Sequence, residues 1–77
     1  MTRPADVDIA REFGRRLAAA RRSAELTQEQ LAERAGLHPV TISTLETATR
    51  AASVPTLVRL AHALGVDPAQ LVEGLKP

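Results

Sequence analysis

Cysteine, tryptophan and tyrosine are absent from this 77-residue chain, and phenylalanine and methionine occur once each. Without thiols there is no disulfide, no thiolate metal site and no cysteine nucleophile. With one Phe, the core has to be built from Leu, Val and Ala, a composition suited to closely packed helices. A chain this short buries only about 60% of its unfolded surface. It therefore has room for one domain, held by tight apolar packing or by self-association. No apolar run approaches the roughly 18 residues that span a bilayer, and the opening MTRPADVDIA lacks the apolar stretch of a secretory signal. The expectation is a cytoplasmic protein with no membrane partner.

Excess charge is lacking too. Lys+Arg number 10 against Asp+Glu 9, a formal net charge of +1, which neither demands nor excludes a nucleic-acid partner. Distribution says more than the total. Nine of the ten basic residues are Arg, and six of them (Arg3, Arg11, Arg15, Arg16, Arg21, Arg22) fall in the first third of the chain. Hydrophobic residues at 44% and charged ones at 25% are globular proportions.

Apolar periodicity supplies the elements. Ile9, Phe13, Leu17, Ala20 and Ala24 recur at three- and four-residue steps, with Arg11, Arg15, Arg21 and Arg22 off the stripe, which predicts a helix over residues 7 to 24. In Leu26-Thr27-Gln28-Glu29-Gln30-Leu31, Thr27 can cap the N3 amide while Gln30 reaches back, a capping box that starts a second helix at about Gln28. Gly36 can close that helix in the left-handed conformation. Pro39 has no amide hydrogen to lose at a first helical position, so His38 caps a third helix carrying Val40, Ile42 and Leu45 to about Thr47. Residues 47 to 52 read as a loop. A fourth helix opens at Ser53 or Val54, carries Leu57, Leu60, Ala61 and Leu64, and closes at Gly65. The Asp67-Pro68 pair opens a last helix with Leu71 and Val72, running to Gly74. The reading is all-α, five helices and no strand, preceded by a flexible arm over residues 1 to 6.

Between the second and third helices, four positions serve a tight corner. Ala32 is small where the helices cross, Gly36 reverses the backbone, and Ile42 with Leu45 pack the third helix onto the second. Each alone is a packing feature, but together they are the pattern of a helix-turn-helix.

The runs Phe13-Gly14-Arg15-Arg16-Leu17, Leu26 through Leu37, Thr41-Ile42-Ser43, Leu45-Glu46 and Leu60 through Pro68 resemble the lambda-repressor-like, Cro/C1-type (XRE) helix-turn-helix family over about residues 13 to 75. The resemblance implies a compact five-helix domain over residues 7 to 77. It also implies a sequence-selective regulator of transcription, a repressor-type protein binding double-stranded DNA as a homodimer on a two-fold operator. Carried over position by position, it sets Thr27 and Gln28 on a phosphate, where amides and helix dipole favour an anion. It sets Pro39, Val40, Ser43 and Thr44 against base edges, and Thr41 and Arg50 on phosphates. Arg16 joins them as a further phosphate contact, against the plainer reading of a solvated helix face. Arg21 and Glu46 are implied as a structural ion pair. Many members carry Arg, Gln or Asn on the recognition helix; this chain has apolar Pro39 and Val40 and short Ser43 and Thr44, so DNA shape has to carry part of the specificity. Ala48 stands in the usual place of a Gly and Ala52 in that of a Pro.

Leu71, Val72 and Leu75 form a C-terminal apolar strip and are the expected dimer surface. Catalysis, a cofactor and a metal are not expected: Glu46 reads as an ion-pair partner rather than a base, and His38 and His62 lack a further ligand at metal spacing. The alternative is an antitoxin-like or coactivator-like module that holds a protein partner, such as a toxin or a polymerase subunit, with the same fold.

Overall fold

In the computed structural model, residues 4–77 are described. Five helices follow one another: α1 (Pro4–Ser23), α2 (Gln28–Ala35), α3 (Pro39–Glu46), α4 (Val54–Leu64) and α5 (Pro68–Val72). Of the arm expected over residues 1 to 6, residues 1–3 lie outside the described residues. Residues 4–6 correct that expectation, because they form the first turn of α1. Proline is tolerated at a helix start, and Asp6 in the first turn faces the positive end of the helix dipole.

Short helices this polar need their ends tied. Thr27 Oγ1 accepts from the Gln30 amide at 3.1 Å, and Gln30 Oε1 accepts from the Thr27 amide at 2.9 Å, completing the capping box of α2. Gly36 closes that helix at φ 68°. His38 caps α3 by accepting the Val40 amide on Nδ1 at 3.1 Å, Ser53 caps α4 through the Thr56 amide at 3.3 Å, and Asp67 caps α5 through the Ala69 amide at 2.9 Å. Each such cap contributes on the order of 1 kcal/mol, which matters for helices of five to eleven residues.

The helices converge on one apolar centre. Leu17 of α1, Leu31 of α2, Ile42 and Leu45 of α3, Leu60 of α4 and Leu71 of α5 are the largest fully buried side chains. Each such side chain contributes about 1.5–3 kcal/mol by leaving water. Leu71 overturns the expectation that it lies on a dimer surface: it is 1% exposed within its own chain. Gly65 and Asp67 turn α5 back onto α4 and α1, so Leu71 fills the gap between them. Val72 and Leu75, the other two residues of that strip, pack half-buried at its edge.

Candidate nucleic-acid interface

The corner between α2 and α3 holds α3 with one face in the core and the other in solvent. Ile42 and Leu45 point inward at 0% and 1% exposure. Residues 3, 4 and 7 apart share a helix face, so Val40 begins an outward stripe continued by Ser43, Thr44 and Thr47. Val40 is 60% exposed, Ser43 and Thr44 are half-buried, and Pro39 is exposed at the first position of the helix. Thr41 lies half-buried on the flank.

The hydroxyls along this stripe are not equivalent. Thr44 donates to the Thr41 carbonyl at 3.1 Å and Thr47 donates to the Ser43 carbonyl at 2.9 Å, so both hydroxyl hydrogens are held within the helix. What these threonines present outward is a methyl group and an accepting oxygen. Thr47 was not among the expected site residues, although its place seven residues after Val40 is a signal that periodicity carries. Beyond it Ala48 takes φ 63°, the left-handed conformation that glycine adopts without cost. The Thr49 amide and hydroxyl both donate to the Thr44 carbonyl, at 2.9 and 3.2 Å, and tie the loop to the end of α3.

Behind the stripe, one carboxylate joins three helices. Arg21 Nε and Nη2 donate to the two Glu46 oxygens at 2.7 and 3.1 Å, a two-pronged bond between the last turn of α1 and the last residue of α3. Arg21 also donates to the Leu26 carbonyl at 2.8 Å, anchoring the turn that leads into α2. The first residue of α2, Gln28, donates from Nε2 to Glu46 at 3.0 Å. Side-chain exposure is 11% for Arg21 and 6% for Glu46. Burial pushes the Glu46 carboxyl upward, but the bonds from Arg21 and Gln28 and the charges of Arg21 and Arg22 outweigh it, holding the group below its ordinary value of 4.5. The bond to Glu46 correspondingly raises Arg21. The expected Arg21 and Glu46 pair is thus present. The Gln28 bond to the same carboxylate was not anticipated.

Gly14 explains how α1 and α3 come close enough for that pair. A Cβ at this position would lie 2.5 Å from the Leu45 carbonyl oxygen and 2.6 Å from that of Glu46. Only glycine lets the end of α3 press against α1 here.

The remaining expected residues are spread around this frame. Thr27 is exposed at the N-terminus of α2, and Arg50 is exposed in the loop after α3. Arg16 departs from expectation, because its guanidinium is engaged within the chain by Glu12 at 3.0 Å and by the Glu73 carbonyl at 2.6 Å. That bond ties α1 to the end of α5, so Arg16 is a structural link rather than a presented cation. Val72 and Leu75 line a groove of about 580 Å³ with the start of α1, the loop after α3 and Val54 of α4. Among the described residues no group of three or more His, Asp or Glu is placed to hold a metal ion. None of their helices is long and apolar enough to cross a membrane.

Residues 12–73 match the family described as a helix-turn-helix domain. The chain belongs to the Cro/C1-type (XRE) helix-turn-helix family of DNA-binding transcription regulators. An HTH-type transcriptional regulator of Sinorhizobium fredii, y4dJ, is 39% identical over 66 residues, 86% of each chain. Among solved structures, this helix-turn-helix chain is similar to the restriction-modification controller protein C.AhdI from Aeromonas hydrophila. The TM-score is 0.79 at 34% identity, over 80% of this chain and 94% of that one. The P22 c2 repressor, solved in complex with a synthetic operator, gives a TM-score of 0.74 at 29% identity, covering 80% of this chain and 94% of its own. The clp gene regulator ClgR from C. glutamicum gives 0.78 at 28%, covering 82% of each.

Proposed function

We propose that this regulator binds double-stranded DNA as a homodimer on a two-fold operator, with α3 in the major groove. The observation that carries the reading is the outward stripe of α3, displayed opposite Ile42 and Leu45 and beside the exposed capped start of α2. In this reading Pro39, Val40, Ser43 and Thr44 meet base edges, and Thr27, Gln28, Thr41 and Arg50 meet phosphates. Gln28 is aimed by its bond to Glu46, while the amides at the start of α2 and the helix dipole favour the anion. Val40 and the outward methyls suit thymine methyl groups, and the accepting oxygens suit exocyclic amines. None of these side chains makes the bidentate pair with guanine or adenine that Arg, Gln or Asn makes, so the sequence dependence of DNA shape supplies part of the selectivity.

Selection from a random duplex library, followed by titration of the recovered site and of random DNA, tests the reading. The recovered site is expected to be two-fold symmetric with half-sites about one helical turn apart. If the dimer neutralises about four to six phosphates, log affinity falls against log salt with a slope of roughly −4 to −5. Gln28→Ala and Arg50→Ala weaken operator and random DNA alike, whereas Val40→Ala and Thr44→Ala narrow the difference between them. Operator preference untouched by substitutions at all four α3 positions would transfer the function to a protein partner, such as a toxin or a polymerase subunit.

A further inference from the structure

The loop between α3 and α4 has few ties of its own. Among the described residues, Arg50, Ala51 and Ala52 take part in no backbone hydrogen bond, and no carboxylate lies within ion-pair distance of Arg50. Beyond them the chain is fixed again, where half-buried Ala52 packs against the core and Ser53 caps α4. A proline at position 52 would preset the backbone angle there, but alanine leaves it free. What holds Arg50 from its other side is therefore the end of α3.

That end is closed in an unusual way. The Ala48 amide donates to the Leu45 carbonyl at 3.3 Å and the Thr49 amide to the Thr44 carbonyl at 2.9 Å, the pair of bonds that closes a helix around a left-handed residue. Glycine suits that residue, and alanine at φ 63° makes the closure less favourable. Thr49 supplies a further bond, because its Oγ1 donates to the same Thr44 carbonyl at 3.2 Å. A carbonyl oxygen has two lone pairs, so it accepts both. The Thr44 hydroxyl does not compete, since it is committed to the Thr41 carbonyl. Thr49 thus grips the last turn of α3 one residue before Arg50.

We propose that Thr49 is a positioning residue for DNA binding: its hydroxyl, bonded to the Thr44 carbonyl, holds the loop so that Arg50 meets a phosphate. This rests on the DNA-binding reading above, in which Arg50 is a phosphate contact, and adds what aims it. A hydroxyl that only closes α3 predicts a lower melting temperature and an effect on binding that is independent of Arg50.

The test is a double-mutant cycle, read by fluorescence anisotropy of a labelled random-sequence duplex of about 24 base pairs near 0.1 M salt, well below the melting temperature of every variant. Arg50→Ala is expected to weaken binding about tenfold. Thr49→Val keeps the shape and the amide bond but removes the hydroxyl, and is expected to weaken binding about threefold to fivefold. In the Arg50→Ala background the same change costs less than about 1.5-fold, because there is no guanidinium left to aim. Thr49→Ser, which keeps the hydroxyl, binds as wild type does. Val66→Ala, which trims a half-buried side chain between α4 and α5, lowers the melting temperature and leaves affinity unchanged. Wild-type affinity for Thr49→Val, an equal loss with and without Arg50, a Thr49→Ser variant as weak as Thr49→Val, or an equal loss for Val66→Ala overturns the assignment while leaving DNA binding intact. Arg50→Ala with wild-type affinity removes both Arg50 and Thr49 from the interface. Wild-type protein with no salt-dependent affinity for the duplex overturns the assignment together with the DNA-binding reading.

Discussion

Glu46 is 6% exposed at its side chain, and its two oxygens take bonds from Arg21 and Gln28. Removing the carboxylate leaves the Arg21 guanidinium buried without its partner, so Glu46→Ala is expected to cost about 3 kcal/mol. Thermal melts of Arg21→Ala, Glu46→Ala and the double variant check this, since a coupled pair gives losses well short of additive. The pair also sets a pH dependence. The folded carboxyl lies below 4.5 while the unfolded one does not, so the folded chain binds this proton less readily. Its stabilisation is complete above 4.5 and is lost as pH falls through the lowered folded value. Urea midpoints at about pH 6 and about pH 3 should show a larger drop for wild type than for Glu46→Gln. A sequence places a glutamate near the end of one helix and an arginine near the end of another. Which Gln or Thr shares the carboxylate depends on how three helix ends meet, so the Gln28 bond was not legible in it.

Packing between elements turns on two small residues. Gly14 stands in a run that marks the family, yet nothing in a linear pattern says what a Cβ there would strike. The obstacle is the backbone of α3, 31 or more residues away. Carbonyl oxygens of a capped helix end cannot swing aside as a side chain does, so Gly14→Ala is expected to destabilise the fold by about 1–3 kcal/mol. Chemical denaturation measures that loss, and operator affinity should fall with it because α3 is displaced. Ala48 is the opposite case. It holds φ 63° with a Cβ that disfavours this region, and the Thr49 bonds to Thr44 keep it there. Ala48→Gly is expected to stabilise by about 1 kcal/mol, read as a raised melting temperature. The five helices themselves were legible to within a few residues, because caps and apolar periodicity are local. The start of α1 was missed because residues 4–6 carry no apolar stripe to extend the first one.

At the scale of the whole molecule, the loss of Leu71 to the core reassigns the proposed dimer contact. Val72 and Leu75 remain half-buried beside Val54, which is 73% exposed on the wall of the same groove. If this face joins two copies, Val54→Asp is expected to shift sedimentation from dimer toward monomer without lowering the melting temperature of the monomer. An unchanged dimer removes the face from consideration. Truncation after Gly65, by contrast, deletes Leu71 from the core, so it reports on folding rather than on assembly.

The order of the helices, their caps and the helix-turn-helix corner were determined by the amino-acid sequence alone, because each depends on residues within a turn or two of one another. Thr27 with Gln30, Gly36, and His38 with Pro39 act over such distances. The inward face of α5, the engagement of Arg16 with Glu73, the sharing of Glu46 and the contact of Gly14 with the end of α3 were decided only by tertiary structure. Each joins groups far apart in the chain, and which of several exposed-looking arginines or leucines is taken up depends on the angles at which the helices cross.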